Sequence, residues 1–184
     1  MVGGYLTVNI HKITFGSLVL LVSLTIANTA FAYETTGYEW ESDLVRYNYA
    51  NDLGSDYVDG LKGALSSWNN AVEKYIAFGK DTKKSRTFIY GEENYGKTGW
   101  NAETSVTPYK GSYYIQTASI NPNSYYMDSM SAFDIQGVLG HELGHVLGLD
   151  HVTNKKQIMC TSAGGRKVNE PGSDDIAGIK SIYK

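Results

Sequence analysis

The sequence predicts a single domain built from both β-strands and α-helices, preceded by a short targeting segment. Three observations support this prediction: an alternating apolar segment near the start of the domain, two segments with apolar residues at helical spacing, and a histidine pattern typical of a metal-binding helix. The chain has 184 residues, of which 42% are hydrophobic and 19% are charged, an ordinary composition for one globular domain. The sequence contains no internal repeat, low-complexity tract or proline-rich linker that would mark a second domain.

The charge balance and the cysteine count exclude several classes of protein. The formal net charge is −3, from 16 basic and 19 acidic residues, and the basic residues form no cluster longer than a pair. A surface that follows a phosphate backbone is therefore poorly supported, and we expect no nucleic-acid partner. The single cysteine, Cys160, excludes an intramolecular disulfide framework and any zinc site that needs two thiolates.

The first 32 residues have the features of an export signal. A basic residue precedes an apolar stretch at 13–26, and a small-x-small sequence follows at 30–32, so we predict cleavage after Ala32. A retained membrane anchor is the alternative, but the apolar stretch of about 14 residues is shorter than the roughly 20 that span a bilayer. We therefore expect a secreted protein with the mature domain 33–184 and no stable membrane association.

The first half of the mature domain predicts a strand, a helix and two further strands. Apolar residues alternate over 44–49, which favours a strand with one face on the core, and the stretch 51–54 ends it. Ser55 is the predicted cap of the next helix. Further strands are predicted at 86–90 and 113–120, separated by a glycine-punctuated stretch typical of loops. The helix presents one apolar stripe, formed by Val58, Leu61, Leu65, Trp68 and Val72.

Two helices are predicted in the second half of the domain. The first begins at Ser131, which stands in a capping-box relation to Asp134, and runs to about Leu147 before Gly148 ends it. The second begins at Ser173 and carries acidic residues in its first turn, where the helix dipole favours negative charge. Its apolar face consists of Ile176, Ile179, Ile182 and Tyr183.

The most informative segment is 141–151, with the sequence HELGHVLGLDH. It contains the motif HExxH extended to HExxHxxGxxH. On a helix, His141 and His145 lie one turn apart on one face, so both rings can reach one ion. Gly148 allows the chain to leave the helix sharply, because glycine adopts the left-handed conformation with least strain, and His151 can then reach the same ion. These three residues are the predicted metal ligands, and they are the only histidines of the predicted mature domain.

Three imidazole ligands without a thiolate suit one catalytic Zn²⁺ ion, because three protein ligands leave a position open for water. Zinc lowers the pKa of bound water to about 7, and Glu142, beside the first ligand in the sequence, is placed to take its proton. Glu142 is therefore the predicted general base, and the predicted reaction is hydrolysis of a peptide bond. A zinc-bound but inactive scaffold and histidines that merely lie on a solvated helix face are the alternatives.

The sequence resembles the metzincin clan of zinc endopeptidases and, within it, the matrixins. The resemblance covers most of the mature chain: the extended motif, the Ile158-Met159 pair after His151, and the closing helix from Ser173. It implies an α+β metzincin-like fold, a twisted mixed β-sheet with an active-site helix and a C-terminal helix. It also implies that Met159 is the methionine of the Met-turn, a support beneath the zinc and not a ligand, and that the substrates are proteins or peptides.

The resemblance further implies a cleft whose upper wall is an edge strand of the sheet. Such an edge can bind an extended peptide as an added strand, which would give cleavage with modest sequence preference. The segment 113–120 is the predicted edge strand.

The sequence departs from many members of this family in several respects. No cysteine precedes the motif, so latency through a propeptide cysteine is not expected, and no further histidine remains in the mature chain for a second zinc. No dense acidic loop marks a Ca²⁺ site, so calcium stays possible without a motif to support it. Cys160 follows Met159, where many relatives have an aromatic residue, and we expect it to be a buried thiol.

The resemblance also suggests a contact for the new amino terminus. In some matrixins this terminus pairs with an aspartate of the closing helix, and here Tyr33 would pair with Asp174 or Asp175.

The leading prediction is a secreted, monomeric zinc endopeptidase. The competing prediction is a secreted, zinc-stabilised binding protein without catalytic activity, whose binding face would be formed by Trp40, Trp68, Trp100 and the tyrosines. Glu142 favours the enzyme, because a structural zinc site needs no base beside its ligands.

Overall fold

The computed structural model describes residues 33–184. The predicted export signal and its cleavage site after Ala32 lie outside the described residues and stay predictions. Within 33–184, no helix is long and apolar enough to cross a membrane.

The described residues contain seven β-strands, five of which form a mixed sheet. The seven are β1 (Glu34–Thr35), β2 (Leu44–Tyr49), β3 (Ala77–Lys80), β4 (Thr87–Ile89), β5 (Ala102–Pro108), β6 (Ile115–Pro122) and β7 (Leu149–Asp150). The sheet has the order β3-β2-β4-β6-β5, in which β5 runs antiparallel to β6 and the other neighbours are parallel. β1 and β7 form a separate antiparallel pair.

Four helices accompany the strands in this part of the chain: α1 (Ser55–Val72), α2 (Ser124–Met127), α3 (Ala132–Val146) and α4 (Ser173–Ile182). The predicted stripe of α1 packs on the core, with Trp68 and Leu61 fully buried. The predicted start and end of α3 are confirmed: Ser131 accepts a hydrogen bond from the Asp134 N–H, and α3 ends before Gly148. The α+β fold expected from the resemblance is thereby confirmed.

The prediction that Ser55 caps α1 is wrong. Ser55 is the first helical residue, and Gly54 occupies the cap position without a side-chain cap. The Gly54 N–H instead donates to Glu92 Oε2 at 2.9 Å. The residue before the helix is therefore fixed by a side chain from the loop after β4.

The predicted edge strand is also wrong. The segment 113–120 contributes most of β6, but β6 lies between β4 and β5. The two edges of the sheet are β3 and β5, and β5 is the edge that packs beside α3. β5 lies in the stretch predicted to be loop. Of its inward residues, Ala102 is small and Thr104 is polar, which leaves Val106 as the one strongly apolar residue. The strand therefore lacks the run of alternating apolar residues that predicts strands from sequence.

The core lies where α1 and α3 pack on each other and on the sheet. Two tryptophans belong to this core and bond to the backbone of α3. Trp68 Nε1 donates to the carbonyl of Gly140, and Trp40 Nε1 donates to the carbonyl of Val146, both at 2.8 Å. The buried side chains around them include Val45, Leu65, Ile89, Ile120, Leu139 and Leu143.

Gly148 reverses the chain at the end of α3. Its φ of +91° is in the left-handed region, and a Cβ at this position would overlap the carbonyl oxygen of Tyr38. The carbonyl of Gly148 accepts a hydrogen bond from the Thr36 N–H at 2.9 Å, beside the β1–β7 pair. The turn therefore requires glycine for both its backbone conformation and its close neighbour.

We expect Gly148→Ala to lower the free energy of unfolding by about 3 kcal/mol or more, because the left-handed conformation costs an L-residue about 1–2 kcal/mol and the overlap with Tyr38 adds to it. Gly96→Ala is the matched control, since Gly96 has a φ of +72° with no atom within 4 Å of an added Cβ. Its cost should be about 1–2 kcal/mol. Urea unfolding measures both variants, and equal losses would show that the contact with Tyr38 contributes nothing.

Candidate metal centre

The structure brings together the three histidines predicted to be metal ligands. His141 and His145 project from one face of α3, and His151 follows β7. His145 Nε2 lies 3.2 Å from His141 Nε2 and 3.0 Å from His151 Nε2. Within residues 33–184, this is the one group of three or more potential ligands arranged to hold a metal ion.

Backbone carbonyls orient two of the three rings. His141 Nδ1 lies 2.9 Å from the carbonyl oxygen of Ile158, and His145 Nδ1 lies 2.9 Å from that of Leu149. Because a carbonyl can only accept, each Nδ1 is the donor, and each neutral ring carries its lone pair on Nε2. The lone pairs therefore point toward a common centre, where they repel unless a cation lies between them.

The donor set and its spacing fit zinc. Ligands about 2.0–2.1 Å from a tetrahedral Zn²⁺ ion lie about 3.3 Å apart, close to the two separations of the Nε2 atoms. Three nitrogen donors leave the fourth position to water or substrate, as in catalytic zinc sites.

The protonation of the rings suits a metal site. Burial, followed by the positive charge of a protonated His145, lowers the pKa of His141 to about 3. Burial is also the main cause that lowers the pKa of His145. Both rings are therefore neutral at neutral pH, which is the form that binds a metal ion.

Glu142 lies in the same cavity with its carboxyl group buried. The hydroxyl of Thr104, on β5, donates to Glu142 Oε2 at 2.6 Å. Burial raises the pKa of Glu142 to about 7, against the lowering effects of the Thr104 hydrogen bond and of the positive charge of Arg166. This carboxyl group is held in one orientation and can exchange a proton near neutral pH.

The cavity has a volume of about 280 Å³ and lies between β5, α3 and the segment after Met159. A larger cavity of about 640 Å³, beside Trp40 and Arg86, includes none of the three histidines. Thr104 and Arg166 line the smaller cavity, and the sequence offered no motif for either residue. The other lining residues include Trp100, Ala102, Val138, Thr161, Ser162 and Ala163.

Met159 packs behind α3. It is buried, and a Cβ at Gly144 would overlap its Sδ atom, so the thioether lies against the helix backbone next to His145. Cys160 is buried as expected, with Sγ 3.9 Å from the carbonyl oxygen of Thr153.

Asp175 connects α4 to the turn that carries Met159. Its carboxylate accepts hydrogen bonds from the N–H groups of Ile158 at 2.7 Å, Met159 at 3.3 Å and Gly172 at 2.8 Å. Because the carbonyl of Ile158 orients His141, Asp175 stabilises a ligand through one intervening residue. The neighbouring Asp174 receives a weaker bond from Asn154 Nδ2 at 3.4 Å. The suggested contact of either aspartate with a new amino terminus stays a prediction.

Comparison with known proteins gives the same family as the motif. The sequence model of the matrixin family matches residues 39–184. Metalloendoproteinase 1 of Glycine max is 26% identical over 166 residues, 78% of this chain and 52% of the relative. Interstitial collagenase of Bos taurus is 26% identical over 156 residues, 78% of this chain and 32% of the relative. Metalloendoproteinase 5-MMP of Arabidopsis thaliana is 46% identical over 52 residues, 27% of this chain and 14% of the relative. The match therefore spans about half the length of the first of these relatives and less of the other two.

We expect Asp175→Ala to lower the free energy of unfolding by about 3 kcal/mol or more, because it leaves three N–H groups near the site without their acceptor at about 1–3 kcal/mol each. Asp174→Ala, at the adjacent position, should cost less than about 1 kcal/mol. Urea unfolding of both variants tests this. Similar losses for the two would contradict the role given to the Asp175 carboxylate.

Proposed function

The chain belongs to the matrixin family, and from this premise we propose that it is a zinc-dependent endopeptidase with Glu142 as its general base. Matrixins use a catalytic zinc ion, and His141, His145 and His151 would hold it here. The observation that carries the proposal is the buried carboxyl group of Glu142, oriented by Thr104 in the cavity where the three Nε2 atoms converge.

When bound, zinc supplies a Lewis acid that polarises the peptide carbonyl and acidifies a water molecule. Glu142 takes the proton of the attacking water, since its pKa of about 7 allows it to accept and return a proton near neutral pH. The same carboxyl group then passes the proton to the departing amine. Thr104 keeps the carboxylate directed into the cavity, and Met159 supports the helix that carries the ligands.

Strand β5 provides the binding surface for an extended substrate. It is one of the two edges of the sheet and borders the cavity through Ala102, Glu103 and Thr104. A peptide that adds to this edge would form main-chain hydrogen bonds, which depend little on sequence, and would carry its scissile bond past Glu142. We infer that the substrates are proteins or peptides in extended conformation.

Secretion of a monomeric enzyme remains part of the proposal and rests on the sequence, because the export signal lies outside the described residues. No observation favours the competing binding protein. Trp40 and Trp68, two of the three tryptophans of its supposed binding face, are buried in the core. Any role of Ca²⁺ stays a prediction without support.

The decisive experiment compares the purified protein with Glu142→Ala on an unfolded protein such as casein. We expect one zinc ion per molecule in both proteins by atomic absorption, because the ligands are unchanged, and peptide release by the parent only. A zinc chelator should abolish release, and added zinc should restore it.

Each result of this experiment has a defined meaning. Zinc binding by a folded parent protein that cleaves neither casein nor a peptide mixture would contradict the proposal and favour the binding protein. Cleavage by Glu142→Ala at the parent's rate would leave the peptidase but reject Glu142 as its base.

Thr104 gives a second test of the site. We expect Thr104→Val to lower kcat by about tenfold, because a hydrogen bond to a charged group contributes about 1.5–3 kcal/mol and here orients the base. Thr104→Ser keeps the hydroxyl and should retain most of the activity. Steady-state kinetics on one peptide measure both variants, and equal activity of Thr104→Val and Thr104→Ser would reject the orienting role.

A further inference from the structure

We propose that Arg166 determines substrate specificity by binding the carboxylate of an acidic side chain next to the scissile bond. This inference rests on the proposed function, because it names a substrate class for the same cavity. It makes aspartate and glutamate, rather than large apolar residues, the preferred side chains at one position of the substrate.

The guanidinium group of Arg166 lies between the cavity and helix α3. Arg166 lines the cavity together with His141 and Glu142. An added Cβ at Gly137 would lie 3.2 Å from Arg166 Nη2 and 3.4 Å from Nε, so the guanidinium lies against α3 at that residue. Gly137 is about one turn, or about 6 Å along the axis, before His141 on the same helix face. Arg166 therefore occupies the space beside the metal ligands that a side chain of α3 would otherwise fill.

The contacts of the Arg166 guanidinium with the described residues are few and long. Within residues 33–184, no carboxylate oxygen lies within 4.0 Å of the Arg166 guanidinium, although the group is partly buried. Its hydrogen bonds are long: Nη1 donates to the carbonyl of Cys160 at 3.4 Å and Nη2 to Ser162 Oγ at 3.3 Å. Burial lowers the pKa of Arg166, against the raising effects of nearby negative charges, chiefly that of Glu142, so removal from water is a cost to its charged form. A carboxylate entering the cavity would offset this cost.

The remaining walls of the cavity leave the Arg166 guanidinium available to a substrate carboxylate. Two acidic groups line the cavity, Glu103 on β5 and Glu142, and Glu142 already accepts the Thr104 hydroxyl and is assigned to proton transfer. The small side chains of Ala102 and Ala163 leave room in a cavity of about 280 Å³ for a side chain of aspartate or glutamate size. A guanidinium presents parallel N–H groups that match a carboxylate in bidentate geometry. A long apolar side chain would remove water from the guanidinium and give it no acceptor in return.

The test uses quenched fluorescent peptides that differ only in the residue on one or the other side of the cleaved bond, with Glu, Gln, Leu or Lys at that position. At one of the two positions we expect kcat/KM to be about tenfold higher for Glu than for the isosteric Gln, and lowest for Lys. Arg166→Met should abolish the preference for Glu over Gln, and Arg166→Lys should retain part of it. Lys167→Met is the matched control, because it removes the exposed cation next in the chain and should leave the ratio unchanged.

Two outcomes would overturn the inference. One is equal cleavage of the Glu and Gln peptides by the parent at both positions. The other is an Arg166→Met variant that loses the same factor on every peptide, which would show that Arg166 only holds its own loop.

Binding separates this inference from the proposed function. Fluorescence anisotropy with zinc-loaded Glu142→Ala compares the affinities of the Glu and Gln peptides without requiring cleavage. Tighter binding of the Glu peptide that is lost when Arg166→Met is added supports the role of Arg166 in specificity. This conclusion holds even if the parent protein cleaves neither peptide, because that result would reject only the proposed peptidase activity. Equal binding of the two peptides rejects the role of Arg166.

Discussion

Two buried indole N–H groups fix the helix on which the site is built. Trp68 bonds to the carbonyl just before His141, and Trp40 bonds to the carbonyl just after His145. Rotation of α3 about its axis, or a shift along it, would break these bonds inside the core, where an unpaired polar group is costly. Gly144 adds a close contact with Met159 on the same helix. The ligand geometry therefore depends on tryptophans that never touch the metal.

The site joins groups that are costly to hold together without a ligand. The backbone carbonyls of Ile158 and Leu149 force two Nε2 lone pairs toward each other, and burial keeps both rings neutral. The folding free energy of the rest of the domain offsets the cost of this arrangement, and binding of an ion that fits the centre would stabilise the folded state. Metal binding and folding are thus coupled through the same three rings. The same cavity holds a buried carboxyl group and a partly buried arginine, and the charge of each favours the ionised form of the other against the effect of burial.

The sequence predicted the features that depend on local spacing. The helix α3, its cap at Ser131, its end at Gly148 and the convergence of the histidines follow from intervals within one segment. The position of β5 at the edge did not follow from local spacing, because Ala102 and Thr104 on its inward side are small or polar and its place in the sheet depends on non-local pairing with β6. Thr104 and Arg166 could not be predicted for the same reason: each reaches the cavity from a segment distant in sequence from α3. Ser55 is a residue type that often caps helices, but here the start of α1 is held by the hydrogen bond from the Gly54 N–H to the Glu92 carboxylate.

The pairing of β1 with β7 has a consequence for the order in which the molecule assembles. Thr36 and Gly148 are 112 residues apart, yet their contact positions the turn that leads to His151. The carbonyl that orients His141 is in turn held by α4, near the end of the chain. The centre of a growing chain is therefore complete only after α4 has been synthesised. A fragment that ends before α4 contains all three histidines but lacks the Asp175 contacts that hold the segment orienting His141.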